Sequence, residues 1–263
     1  MVKKKTASPG KKIVLIGAGN VATHLGMALK KSGQDILQVY SRSKKSASDL
    51  ANSLNAAYTC DLKQLDKHAD IYVIAIKDDA LAEIAKQIRF KSIVVHTSGS
   101  VEMTALKGCT SHYGVFYPLQ SFSKARKIKL KNVPICIEAS DKQTEKELIH
   151  LAEKISNRVI KIDSEKRQAI HLAAVFACNF SNHMYAIAED ILKTNHLPFQ
   201  ILQPLIKETA AKVEKNSPLK MQTGPAIRGD RNVMIKHISN LSEKKTSQAI
   251  YKLLSESIRE NKN

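Results

Sequence analysis

Residues 11–29 read Lys-Lys-Ile-Val-Leu-Ile-Gly-Ala-Gly-Asn-Val-Ala-Thr-His-Leu-Gly-Met-Ala-Leu, and few folds accommodate such a stretch. Ile13, Val14, Leu15 and Ile16 are too few for a helix and too uniformly apolar for a half-exposed strand. They predict a central parallel strand covered on both faces. Gly17, Gly19 and Ala22 follow at G-x-G-x-x-A spacing, and Val21, Leu25 and Leu29 continue as the buried stripe of a helix. Gly17 allows a sharp turn, Gly19 a close approach of backbone to a diphosphate, and Ala22 tight helix–sheet packing, with Gly26 extending that packing. The free amides at the helix start, together with Asn20 and Val21, would face the phosphates. The competing reading is a strand-turn-helix whose small residues serve packing alone.

Composition narrows the class. A chain of 263 residues with 43% apolar content can hold one large domain or two moderate ones. No apolar run spans a bilayer, and the first ten residues lack the apolar core of a signal peptide, so a soluble, cytoplasmic protein is expected. Residues 1–10 read as a disordered basic tail. Cys60, Cys109, Cys136 and Cys178 are far apart and the histidines lack ligand spacing, so neither a metal site nor a disulfide framework is expected. The net charge of +18 invites a nucleic-acid reading, but aromatics are only 5% and lysines are spread along the chain. Most of the charge reads as solvated surface, with local clusters at residues 3–12 and 124–131, and no specific nucleic acid is expected.

The second strand, residues 36–40, carries the next signal at its end. An NAD-selective site usually has an acid there for the ribose hydroxyls. This chain has Ser41-Arg42-Ser43-Lys44-Lys45, hydroxyls and positive charge suited to a 2′-phosphate, so NADP is the expected cofactor. An exposed basic loop is the alternative. A fourth buried strand over residues 69–76 should bring Ile76, Lys77 and Asp78 to the groove, with Asp79 capping the next helix. The fifth strand runs into His96-Thr97-Ser98-Gly99-Ser100, which by the same rule faces the nicotinamide end, although such hydroxyls also close turns. Strands over residues 114–120, 133–138 and 158–162 extend the sheet to about residue 163.

From residue 164 onward the pattern is helical. Residues 169–192 contain neither Gly nor Pro and predict a long helix, the spine of a second domain. At 100° per residue His171 and Asn182 fall within about 20° of each other, with Asn179 near them. A polar stripe on an apolar helix needs a partner: another helix, a second subunit or a ligand. Arg228 sits in a tight loop suited to grip an anion, or pairs with Asp230 or Glu208, and Asp230 should cap the helix that follows.

Gly17-Ala18-Gly19-Asn20-Val21-Ala22, His96-Thr97-Ser98-Gly99-Ser100, Tyr117-Pro118-Leu119-Gln120-Ser121-Phe122 and Thr223-Gly224-Pro225 through Arg228 and Asp230 together resemble an uncharacterised oxidoreductase-like family. That family joins an N-terminal Rossmann-like domain to a helical domain of unknown function. The chain is more distantly similar to pyrroline-5-carboxylate reductase, prephenate dehydrogenase, the 3-hydroxyacid dehydrogenases and deazaflavin-dependent NADP reductases. The resemblance implies an α/β fold with a doubly wound, mostly parallel sheet over residues 11–163 and an all-helical domain over residues 164–263 that dimerises. It lacks the Lys-x-x-x-Asn pair of the hydroxyacid dehydrogenases, and Tyr117-Pro118 stands where prephenate dehydrogenases would show His-Pro. The implied activity is NADP-dependent hydride transfer between the nicotinamide and a small, acidic carbonyl or imine substrate, in either direction. The candidate proton-handling and orienting residues are His96, Ser98, His171, Asn179 and Asn182, with Gln120 and Arg228 binding substrate. A nucleotide-binding regulator or scaffold without turnover is the rival reading.

Overall fold

The structure is a computed structural model and describes residues 10–261, so the basic tail expected over residues 1–10 lies outside it but for Gly10. In chain order the sheet and its helices are β1 (Lys12–Ile16), α1 (Asn20–Lys31), β2 (Asp35–Tyr40), α2 (Lys44–Leu54), β3 (Ala57–Thr59), β4 (Ile71–Ile74), α3 (Asp78–Gln87), β5 (Ile93–His96), β6 (Tyr113–Pro118), β7 (Ile135–Ala139), α4 (Lys142–Glu153) and β8 (Val159–Lys161). Then follow α5 (Ser164–Ala174), a π-helical stretch (Val175–Phe180), α6 (Ser181–Thr194), α7 (Gln203–Lys215), α8 (Pro225–Arg228), α9 (Arg231–Asn240) and α10 (Lys245–Glu260).

The strands form one sheet in the order β3-β2-β1-β4-β5-β6-β7-β8, parallel throughout except between β6 and β7. Strand β1 therefore lies inside the sheet, between β2 and β4, at the point where the strand order reverses. Its two faces serve two cores. Ile13 and Leu15 pack with Leu25 and Leu29 of α1, Leu50 and Leu54 of α2 and Leu148 and Leu151 of α4. Val14 and Ile16 pack with Tyr72, Val94 and, from α3, Leu81 and Ile84. Helices on both faces are why these strands read as continuous apolar runs. Gly26 permits the tight fit of α1, since a Cβ there would come within 2.7 Å of a Leu15 methyl.

Contacts divide the chain into a unit that ends at Cys178 and a unit that begins at Asn179. The expected division at residues 163–164 falls earlier because α5 belongs to the first unit, where Arg167 is wholly buried. The long helix expected over residues 169–192 is interrupted by the π-helical stretch, and among the described residues no side chain of α6, α7, α9 or α10 is buried in the single chain. Ala226 and Leu241 are the second unit's buried apolar residues. Among the described residues no helix is long and apolar enough to cross a membrane.

The turn after β1 separates two roles of glycine. Gly17 has φ +127°, and a Cβ there would meet the Ala75 carbonyl oxygen at 2.1 Å, whereas a Cβ on Gly19 would meet nothing within 4 Å. Gly17→Ala should therefore cost at least about 2 kcal/mol of stability in urea unfolding, and Gly19→Ala less than about 1 kcal/mol. Equal losses would contradict this account of the turn.

Candidate functional site

The carboxyl ends of β1, β4, β5 and β6 share one edge of the sheet, and the loops that leave them are tied together by backbone bonds. Gly17 N donates to Tyr40 O at 2.8 Å, Ala75 N to Ile16 O at 2.8 Å and Thr97 N to Ile74 O at 3.0 Å. Helix α1 starts with Gly19 as its N-cap, with no side chain capping it and no acid in its first turn. Its leading amides thus face the open space beside Gly19, an arrangement that fits a diphosphate.

At the end of β2, Ser41, Arg42 and Ser43 lie together. Ser43 N donates to Ser41 Oγ at 3.3 Å, and Ser43 Oγ accepts from Ser46 N, capping α2. Both hydroxyls thus shape the turn, and exposed Arg42 stands between them in the chain, just ahead of a helix start that carries Lys44 and Lys45 and no acid. After β4, Lys77 is the N-cap of α3 without a capping bond, and Asp79 is an ordinary first-turn residue rather than the expected cap. Asp78 instead accepts from Ser100 Oγ, joining the loop after β4 to the loop after β5.

His96 is wholly buried. Its Nδ1 accepts from Ser98 N at 3.2 Å, and its Nε2 has no partner among the described residues. Burial, helped by the charge of Arg167, pushes its pKa down to about 4, so it is neutral at pH 7. Ser98 Oγ accepts from Ser100 N and Val101 N at 3.1 and 3.0 Å, closing the turn. Arg167 of α5 holds this loop from beneath: Nη1 donates to Ser98 O and Gly99 O, both at 3.0 Å, and Nη2 to Val101 O at 2.8 Å. Nη2 also reaches Ser164 Oγ at 2.9 Å and the Glu138 carboxylate of β7 at 3.3 Å.

Above the loop Tyr117 and His171 meet, the tyrosine hydroxyl 3.0 Å from His171 Nδ1 and the rings edge to face. Both pack on Gly99, where a Cβ would come within 2.5 Å of His171 Nδ1 and 2.8 Å of Tyr117 Cζ. Glycine is therefore required for this approach. Burial pushes the Tyr117 hydroxyl up to about 12, so it keeps its proton at pH 7. Gln120, exposed two residues beyond β6, folds its side-chain carbonyl onto Ser121 N at 2.8 Å.

The other candidates lie in the second unit. The π-helical stretch advances by less than 100° per residue, so the shared face reckoned for His171 and Asn182 has no basis across it. Asn179 is exposed, and Asn182 lines a groove of about 420 Å³ with Tyr185, Glu189, Gln203 and Lys207. Arg228 donates from Nε and Nη2 to Asp230 Oδ2 at 3.0 and 2.7 Å. Asp230 is accordingly drawn to Arg228 and makes no capping bond to α9, contrary to the sequence expectation.

Of the residues proposed from sequence, the structure thus gathers Gly17, Gly19, Asn20, Val21, Ile76, Lys77, Asp78, His96 and Ser98 at one edge of the sheet, with Ser41, Arg42 and Ser43 at the end of neighbouring β2. Sequence reasoning missed Arg167 and Glu138, which look like surface charges in a lysine-rich chain. It quoted Tyr117 only as part of a motif.

Residues 12–98 match the family model described as NADP oxidoreductase coenzyme F420-dependent, and residues 133–258 match a domain of unknown function. A protein of Bacteroides fragilis named as a putative NADP oxidoreductase has a crystal structure that superposes with a TM-score of 0.91. It is 48% identical, over 96% of this chain and 99% of that one. The chain belongs to this NADP oxidoreductase family. A family-like fold also occurs in a protein of Thermotoga maritima, 24% identical over 95% of this chain and 99% of that one, with a TM-score of 0.78. The imine reductase of Myxococcus stipitatus, solved in complex with NADP+, shares the fold at 14% identity, a TM-score of 0.63 and coverage of 95% and 93%. No curated protein matches the sequence.

In this chain His96 makes stability depend on pH. Its folded pKa is about 4 against about 6.5 unfolded, so between those values the unfolded chain binds the proton and the folded one does not. Its contribution is complete above pH 6.5 and is lost as pH falls toward 4. His96→Asn, which keeps an acceptor for Ser98 N, should lose less stability across that window in urea unfolding. An identical pH dependence in both proteins would rule the assignment out.

Proposed function

We propose that this oxidoreductase reduces the C=O or C=N group of a small, acidic substrate with NADPH. The observation that carries the reading is the turn after β1, where Gly19 faces open space and α1 begins without a side-chain cap. In this reading the amides of Gly19, Asn20 and Val21 bind the diphosphate. Ser41, Arg42 and Ser43 bind the 2′-phosphate through donors and positive charge, and Ile76, Lys77 and Asp78 line the ribose. NADPH, when bound, supplies the hydride.

The chain's own task is to place the acceptor carbon and deliver one proton. Tyr117 is suited to deliver it. Its hydroxyl is protonated at neutral pH and hydrogen-bonded to His171 Nδ1; once the phenol has given its proton to the substrate oxygen or nitrogen, the Nδ1 proton can pass to the phenolate while Nε2 takes one from solvent. His96 and Ser98 set the loop beneath this pair. The four cysteines are free thiols, in keeping with a cytoplasmic setting.

Fluorescence titration tests the reading. Wild type should prefer NADPH to NADH, and Arg42→Ala should abolish the preference by weakening NADPH about tenfold or more while sparing NADH. Equal binding of both by wild type, or binding of neither, would refute the phosphate assignment. Tyr117→Phe should keep NADPH affinity and lose NADPH oxidation by those small keto and imino acids that wild type reduces. Absence of turnover by wild type across such a panel would favour a regulator or scaffold instead.

The second unit supports a homodimer. Leu205, Ile235 and Leu253 are 62–67% exposed in the single chain, while its buried apolar residues are Ala226 and Leu241. Helices so thinly buried need a second copy to cover them. Light scattering should give twice the chain mass of 29.1 kDa, and Leu253→Glu should shift the mass toward one chain. A wild-type monomer at micromolar concentration would contradict the dimer.

A further inference from the structure

We infer that Lys124, on the segment that follows β6, is a further ligand of the cofactor's diphosphate. The inference rests on the reading of the turn after β1 as a dinucleotide cradle and adds to it a cation from a distant part of the chain.

Three contacts fasten the segment to that turn and to α1. Lys124 Nζ donates to Ala18 O at 2.9 Å. His24 Nε2 donates to Ser123 O at 2.9 Å. The ring of Phe122 stacks on the ring of His24 with centroids 5.0 Å apart. Ala18 lies between Gly17 and Gly19, two residues ahead of the first residue of α1. The ammonium is therefore held at the positive end of a helix dipole whose first turn offers no acid and whose N-cap offers no side-chain acceptor.

A cation in that position is repelled by the helix unless an anion lies between them. An ammonium has three N–H donors, and the bond to Ala18 O uses one. Lys124 is otherwise exposed, so the remaining donors can reach the space that Gly19 leaves open. The diphosphate bridge supplies the anion that satisfies both the helix amides and the ammonium. This gives one member of the basic run at residues 124–131, which composition alone leaves as solvated surface, a defined partner.

The bridge is common to NADPH and NADH, whereas the 2′-phosphate is not, so Lys124 and Arg42 should leave different signatures. In fluorescence titrations with NADPH and NADH as probes, Lys124→Ala should weaken both by the same factor, about tenfold. Lys124→Arg should retain most of the affinity. Lys124→Gln keeps a donor for Ala18 O but removes the charge, and it should bind as weakly as the alanine variant. Thermal melts of the free variants should stay close to wild type, separating lost charge from lost fold.

Unchanged binding by Lys124→Ala, or wild-type binding by Lys124→Gln, would show that the side chain only fastens the segment and would overturn the inference. Loss confined to NADPH would place Lys124 at the other phosphate and overturn it as well. Binding of neither dinucleotide by wild type would bring down the cradle and the inference together. With NADH still bound by Lys124→Ala at wild-type strength, the cradle would stand and the inference alone would fall.

Discussion

A guanidinium without solvent exposure fixes the shape of the site. Arg167 donates to three carbonyls of one loop, Ser98 O, Gly99 O and Val101 O, and also to the Glu138 carboxylate and Ser164 Oγ. A buried charge deprived of such partners costs several kcal/mol, so the loop after β5, strand β7 and helix α5 are bound to adopt their positions together. The start of α5 is set by Asp163, whose carboxylate accepts from Lys166 N, and by Ser164, which bonds to Glu138. Because Gly99 is pinned from beneath, the Tyr117–His171 pair can close on it from above. The Tyr117–His171 pair is thus located by an arginine whose own hydrogen bonds go to the loop, to Ser164 and to Glu138.

The other end of the site depends on strand order. With β1 between β2 and β4, the chain leaves β1 where the order reverses, and the loops on either side diverge from the turn. Gly17 takes the positive φ that lets the chain pass beneath Ala75 O, and Gly19 then leaves the front of α1 open. The loop after β2, with Ser41, Arg42 and Ser43, starts one strand away, and the bond from Gly17 N to Tyr40 O couples the two turns. Phosphate recognition, hydride delivery and proton delivery would therefore lie along a single edge of one sheet.

How much of this the sequence reveals depends on whether a role is local. Strand β1, the glycine turn and α1 are legible because four apolar residues, small residues at fixed spacing and a helical stripe all constrain neighbouring backbone. The loop of His96 was legible as a place but not as a function: whether its hydroxyls serve a ligand or a turn depends on geometry, and Ser98 Oγ does close the turn. Arg167 and Lys124 were invisible because a basic residue in a chain of charge +18 looks solvated until its partners, 66–69 and 106 residues away, are known. The apolar pattern of residues 169–192 was legible, but not the π-helical step at Val175–Phe180 nor the exposure of α6 in the single chain. Pattern states which side chains need cover, and only assembly states what covers them.

A crystal structure grown with saturating NADP+ tests the central claim most directly. The account predicts the diphosphate within hydrogen-bond reach of the amides of Gly19, Asn20 and Val21, and the 2′-phosphate against Arg42. A nucleotide bound elsewhere, or a turn after β1 filled by protein side chains at that concentration, would contradict it.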